Sequence, residues 1–228
     1  VAVSQLRIGN IVLREQKIKD VSTQTIEHLI IEAIKKEGEN ILNFDTAAEQ
    51  LQNRILSLRI WNPEQEWPDV STATLTATAD KWITPYLNGI TTVEQLKKLN
   101  LSEILKYTLN YQQQNDLDRL APTAIQVPSG SHIKIKYHPD GAQPILAVRL
   151  QEVFGLAETP KINNNRTPVL MHLLSPGYKP VQITSDLKSF WNSAYYEVKK
   201  ELKSRYPKHV WPDDPWNEQA VRGVKRNG

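Results

Sequence analysis

The feature that most constrains this chain is a change of hydrophobic period at Ala121-Pro122. Before it, apolar residues recur at helical spacing; after it they alternate, or run in short blocks bounded by turn residues. One chain with both periods, in that order, predicts an α+β protein: an N-terminal helical domain over 23–122, then an antiparallel sheet with helices on one face over 123–216. Ile26, Leu29, Ile30, Ala33 and Ile34 share one side of a helix from Thr23, and Gly38 marks its stop. Capping boxes are read at Thr46/Glu49 and Thr91/Glu94. A further helix is expected over 72–84, and a fifth from Asn100 or Ser102 through Leu117.

In the second half, Ile133, Ile135 and Tyr137 alternate with His132, Lys134, Lys136 and His138, so one set packs and the other faces out. Asp140-Gly141 is a hairpin turn leading to a return strand from Pro144 to Leu150. Val169 to Leu174 is nearly all apolar and reads as a strand covered on both faces. The clearest helix follows Thr184 and runs to Pro207, which stops it. Leu187, Phe190, Trp191, Ala194, Tyr195, Val198 and Leu202 fall on one side; Lys188, Tyr196, Lys199 and Lys203 fall on the other. Residues 6–19 look like strands with a turn near Gly9-Asn10, and residues 217–228 like a loose basic tail.

There is no cysteine, which excludes disulfides, thiolate zinc sites and a thiol nucleophile. No glycine-rich phosphate loop and no His-Glu-x-x-His occurs. No apolar run reaches the roughly 18 residues of a membrane span, no signal-peptide layout opens the chain, and it starts without Met. A cytoplasmic piece of a longer polypeptide is the expectation. Charge is uneven: residues 1–129 balance at −3 and residues 130–228 at +6. Lys134, Lys136 and Arg149 on a sheet face, with Lys188, Lys199 and Lys203 on a helix face and Tyr196 available to stack, are the pattern a phosphate backbone wants. A solvated surface is the competing reading of the same residues. The Asp213-Asp214 pair between prolines reads as a rigid turn, and Trp61, Trp67, Trp211 and Trp216 as loop staples.

Three long stretches carry a resemblance: PILAVRLQEVFGLAETP (144–160), TPVLMHLLSPGYKPVQITSDLKSFW (167–191) and YYEVKKELKSRYPKHVWPDDP (195–215). They resemble the C-terminal region of bacterial DEAH-box-like ATP-dependent helicases of the HrpB family. Residues 123–143 fit too, the helical part more loosely, and residues 1–22 look like the end of a preceding β domain. The resemblance implies a non-catalytic accessory region of a superfamily 2 helicase. Its ATP and magnesium would sit in motor domains elsewhere, and its partners would be RNA or single-stranded DNA and those motor domains. No cofactor is expected in this region. Two roles stay open, nucleic-acid handling and a docking or bracing module that binds no nucleic acid.

Overall fold

The computed structural model describes residues 3–8, 10–17 and 21–224. Gly9 of the expected turn, and Lys225 and Arg226 of the expected tail, lie outside the described residues. The chain divides into two compact units, Val1–Glu49 with Val70–Thr108, and Gln50–Asp69 with Leu109–Gly228. The division is interleaved along the chain.

The first unit holds the hairpin β1 (Val3–Ile8) and β2 (Ile11–Lys17), then helix α1 (Thr23–Glu37). Ser22 caps α1 and the Gly38 amide closes it on the Ile34 carbonyl. The start of α2 (Thr46–Trp61) is capped by Asp45, whose Oδ1 accepts from the Ala48 amide at 2.9 Å, and not by Thr46. The expected helix over 72–84 is two, α3 (Thr72–Ala77) and α4 (Ala79–Trp82). They part at Thr78, whose hydroxyl donates to the Thr74 carbonyl at 2.7 Å and competes with the helical ladder. Trp82 folds back to donate its indole N–H to the Leu75 carbonyl at 2.8 Å. α5 (Val93–Leu96) opens on a Thr92/Gln95 capping box, one residue on from the expected pair. α6 (Leu101–Lys106) is capped by Asn100 and buries Leu101, Ile104 and Leu105.

The second unit begins with residues 50–61 of α2. Arg54 donates to the Ala121 carbonyl at 2.6 Å and pairs with Asp118; Asn53 and Ser57 donate to the Tyr137 and His138 carbonyls at 3.1 and 3.0 Å. These bonds tie that stretch to residues far along the chain and account for the interleaving. α7 (Tyr111–Leu120) has its own capping box, Asn110 with Gln113, so the expected fifth helix is also split.

Five strands form the main sheet: β3 (Ala124–Gln126), β4 (His132–Lys136), β5 (Ile145–Arg149), β8 (Leu170–Leu174) and β9 (Pro180–Thr184), in the order β3-β4-β5-β8-β9. It is mixed rather than antiparallel throughout, because β5 and β8 run parallel. The stretch 150–169 is long enough to return the chain to the end of the sheet at which β5 starts. It contains a 3-10 turn (Leu150–Glu152) and a small hairpin of β6 (Lys161–Ile162) and β7 (Thr167–Pro168).

One face of the sheet is core: Ile135, Leu146, Val148, Met171 and Leu173 are buried. The expected long helix is broken into α8 (Leu187–Asn192) and α9 (Tyr195–Arg205). The break has a local cause: Asn192 and Ser193 donate their side chains to the Lys188 and Ser189 carbonyls, at 2.9 and 2.6 Å, and Ser193 leaves helical geometry. The apolar side still buries Leu187, Phe190, Trp191, Tyr195 and Leu202. Phe154, Phe190, Trp191 and Tyr195 form one aromatic cluster with ring centres 5.0 to 6.3 Å apart. No helix among the described residues is long and apolar enough to cross a membrane.

Candidate nucleic-acid interface

The other face of the sheet is open. Register sets Ala124 opposite Lys134, Ala147 opposite His172, and His172 opposite Ile183. Ile135 opposes Leu146, so the next pair along is Lys134 with Ala147, and one row, Ala124-Lys134-Ala147-His172-Ile183, crosses all five strands. At ~4.8 Å per strand the row is about 19 Å wide. Ala147, in the middle, is exposed and small, so the row has a low floor. Lys136, Ile145 and Leu170 share the face on one side, and Arg149 and Leu174 on the other. None of these positions is Asp or Glu.

β8 corrects the expectation of a strand covered on both faces. Met171 and Leu173 are buried, but Leu170, His172 and Leu174 are only half-buried, and Ile183 beside them is 53% exposed. An apolar run does not distinguish a strand with two covered faces from one whose second face is partly open.

Lys134 and Lys136 point from the open face into solvent and make no ion pair among the described residues. Arg149 shares their face but is committed within the protein. Its guanidinium bonds Glu152 at 2.8 and 2.9 Å, donates to the Arg222 carbonyl, and lies 5.0 Å from the centre of the Tyr178 ring. Burial pushes the Glu152 carboxyl up, but hydrogen bonds from Ser131, Arg149 and Ser129 outweigh it and hold it below the usual glutamate range. Arg222 in turn donates to the Ser129 carbonyl at 3.2 Å, and the Val221 amide to the Gln151 carbonyl at 3.0 Å, so this part of the basic tail is held.

The helical candidates form a separate group. Lys199 lies with its side chain 12% exposed and paired to Asp213, which that pairing holds below the usual carboxylate range. Tyr196 donates its hydroxyl to the Asp213 carbonyl at 3.3 Å. Lys203 is exposed on the same helix, and Lys188 is exposed on α8, across the break. No hydrogen bond, ring contact or ion pair among the described residues joins this group to Lys134, Lys136 and Arg149. Trp211 is stapled as its loop position implies, to the Tyr206 carbonyl at 2.9 Å; Trp61, expected in a loop, is the last residue of α2 and donates to the Gly141 carbonyl at 2.7 Å.

Sequence reasoning missed Tyr178. It sits at the tip of the β8–β9 turn, 66% exposed, with φ +61. Its signal was the Pro176-Gly177 pair, which lifts the next residue clear of both strands. No cluster of His, Asp or Glu among the described residues is arranged to hold a metal ion.

Comparison with known proteins agrees with this architecture. Residues 82–215 match the family model described as ATP-dependent helicase C-terminal. The ATP-dependent RNA helicase HrpB of Escherichia coli K12 is 41% identical over 222 residues, 97% of this chain and 27% of that protein. A crystal structure of the E. coli DExH-box NTPase HrpB superimposes with a TM-score of 0.86 at 41% identity, over 97% of this chain and 27% of that one. A second, of the E. coli DEAH/RHA helicase HrpB, gives 0.74 at 39% identity over 92% and 27%. The chain therefore spans 27% of the length of the relatives it matches. With more than half of its residues inside the family model, it belongs to the C-terminal region family of HrpB-type ATP-dependent helicases.

Proposed function

We propose that this region handles single-stranded nucleic acid, RNA or DNA, for a helicase motor in the same polypeptide, and that the strand lies on the open sheet face. The observation that carries the reading is the pair of unpaired lysines, Lys134 and Lys136, on a face whose strand positions hold no carboxylate. A strand of phosphates gains counterion release there without meeting like charge. Lys188 and Lys203, exposed and without an ion pair among the described residues, are outlying backbone contacts in this reading. Lys199 and Arg149 are spent on internal partners and serve to shape the surface, whereas Tyr196, 44% exposed, has only its hydroxyl engaged. The chain has no glycine-rich phosphate loop, so its residues do not fit ATP and magnesium. Those belong to motor domains outside it, and the region itself is not catalytic.

Exposed Ile183 and half-buried Leu170 and Leu174 favour a second reading, in which the same face docks a protein or braces the motor. Fluorescence anisotropy with a single-stranded RNA at two salt concentrations separates the two. Binding is expected in the non-specific range, about 10⁻⁴ to 10⁻⁶ M, and falls steeply with salt. Lys134→Glu with Lys136→Glu should weaken it and flatten the log–log salt slope by about 0.7 for each phosphate left without its lysine. An unchanged affinity and slope in a folded double variant would transfer the face to the docking reading.

A further inference from the structure

We infer that Tyr178 is a stacking platform for an unpaired base of a strand lying on the open sheet face. The inference rests on the nucleic-acid reading above and adds a base-stacking residue to it.

An exposed tyrosine is ordinary; this one is held in an unusual way. Its backbone is left-handed, a region that tyrosine rarely occupies and that costs of the order of what a hydrogen bond contributes. The turn enforces it. Ser175 is buried, its amide donates to the Lys179 carbonyl at 2.8 Å, and its carbonyl and hydroxyl accept from the Tyr178 and Lys179 amides at 2.9 and 3.1 Å. The turn passes close to α9's end: a Cβ on Gly177 would come within 2.6 Å of the Tyr206 hydroxyl. Strain sustained by surrounding structure at a solvent-facing side chain is a pattern of binding surfaces.

The ring is also fixed from one side. The Arg149 guanidinium covers one face at 5.0 Å from the centroid. Arg149 is itself held by Glu152 and by the Arg222 carbonyl. The residue stays 66% exposed despite that cover. Rigid aromatic surfaces of this kind accept any base, because every base has a π-face.

Position ties the ring to the lysines. Arg149 shares the open face with Lys134, Lys136 and Ala147, and lies two residues along β5 from Ala147, about 6.6 Å. Tyr178, in contact with Arg149, is held at that side of the open face, with Lys179 exposed next to it. A base on the ring leaves its phosphates to run towards Lys134 and Lys136. An apolar peptide would use Ile183 and Leu174 but gains nothing from a rigid cation-backed ring beside unpaired lysines.

The test is anisotropy of the 228-residue chain with labelled oligoadenylate, its deoxy counterpart, and an abasic strand of equal length. Tyr178→Gly removes the ring while suiting the left-handed backbone, so the turn is kept. It should weaken binding of at least one base-bearing strand by about 5- to 160-fold, the conversion of one stacked base. Abasic binding and the salt slope should stay within about twofold, and Tyr178→Trp should restore affinity. The base-bearing strand that shows the loss identifies RNA, DNA or both as the ligand. Equal weakening of the abasic strand would make the ring a structural element and overturn the inference. So would no change with Tyr178→Gly while Lys134→Glu/Lys136→Glu still weakens both kinds of strand, an outcome that leaves the underlying reading intact. No binding of any strand by the parent chain, or undiminished binding in the lysine variant, removes that reading and this inference with it.

Discussion

Replacing Arg149 with methionine should do more than delete a charge, and its cost should shrink as the pH falls. Glu152 is buried, its side chain only 6% exposed, and it is held ionised by Arg149 at 2.8 and 2.9 Å and Ser129 at 3.0 Å. Its folded pKa lies below the ordinary 4.5, so its contribution to stability is fully present above that value and is lost only as pH falls through the folded value. In Arg149→Met the carboxylate stays buried with hydroxyl partners alone, and leaving one partner of such a pair uncompensated costs about 3 to 5 kcal/mol. Loss of the bond to the Arg222 carbonyl and of the stack on Tyr178 favours the upper end. At a urea m-value of about 2 to 3 kcal/mol/M the midpoint should fall by roughly 1 to 2 M at pH 7. With the guanidinium gone, burial dominates and lifts the Glu152 pKa above its unfolded value. Stability should then rise as pH drops from 7 to 5, whereas in the parent this group contributes no change over that interval. Arg149→Met with Glu152→Leu should recover most of the loss. A single variant that loses under about 1 kcal/mol, or that gains nothing between pH 7 and 5, would refute the argument.

Trp191→Ala should cost about 3 to 5 kcal/mol in denaturant unfolding, because the ring is 1% exposed, packs on Phe154, Phe190 and Tyr195, and donates to the Leu156 carbonyl at 2.8 Å. Lys203→Ala, exposed and unpaired, should stay within about 0.5 kcal/mol, and equal effects for the two would mean that the apolar side of α8 is misassigned. Gly141→Ala should lower the thermal midpoint, since Gly141 has φ +71 and a Cβ there would stand 2.9 Å from the Ile60 side chain. Adding Ile60→Ala should relieve the clash but not the backbone strain, so the two changes should be non-additive; strict additivity would exclude the clash.

The sequence made the helices legible where one local signal decided them and illegible where two competed. α1 reads cleanly because apolar periodicity and the Gly38 stop agree. The cap of α2 moved from Thr46 to Asp45, and that of α5 from Thr91 to Thr92, since in each case neighbouring residues can cap equally well and tertiary packing chooses between them. The breaks at Thr78 and at Asn192-Ser193 share one mechanism. Short polar side chains take the carbonyls that the ladder would use, and apolar periodicity persists across the break and conceals it. The parallel pairing of β5 and β8 was hidden for a different reason: strand patterns reveal faces, not partners.

The candidate interface divides along the same line. Alternation in residues 131–138 was enough to turn Lys134 and Lys136 outward, because period two fixes a side chain's face once its neighbours are buried. The same parity put Arg149 on their face but could not reveal Glu152 or Arg222, which arrive from the following 3-10 turn and from the far end of the chain. Helical phase brought Lys199 to the outer side of α9, yet Asp213, carried back by the Trp211–Pro215 loop, claims it. A charge read from sequence is therefore a property of a face, whereas its availability depends on which loops return to that face. By that criterion Lys134 and Lys136 stand apart from Arg149 and Lys199. No returning loop among the described residues pairs the two sheet lysines, and the half-covered Leu170, His172 and Leu174 beside them leave the same surface open to a ligand with both flat apolar and anionic parts. A single strand of nucleotides has both, bases for the one and phosphates for the other.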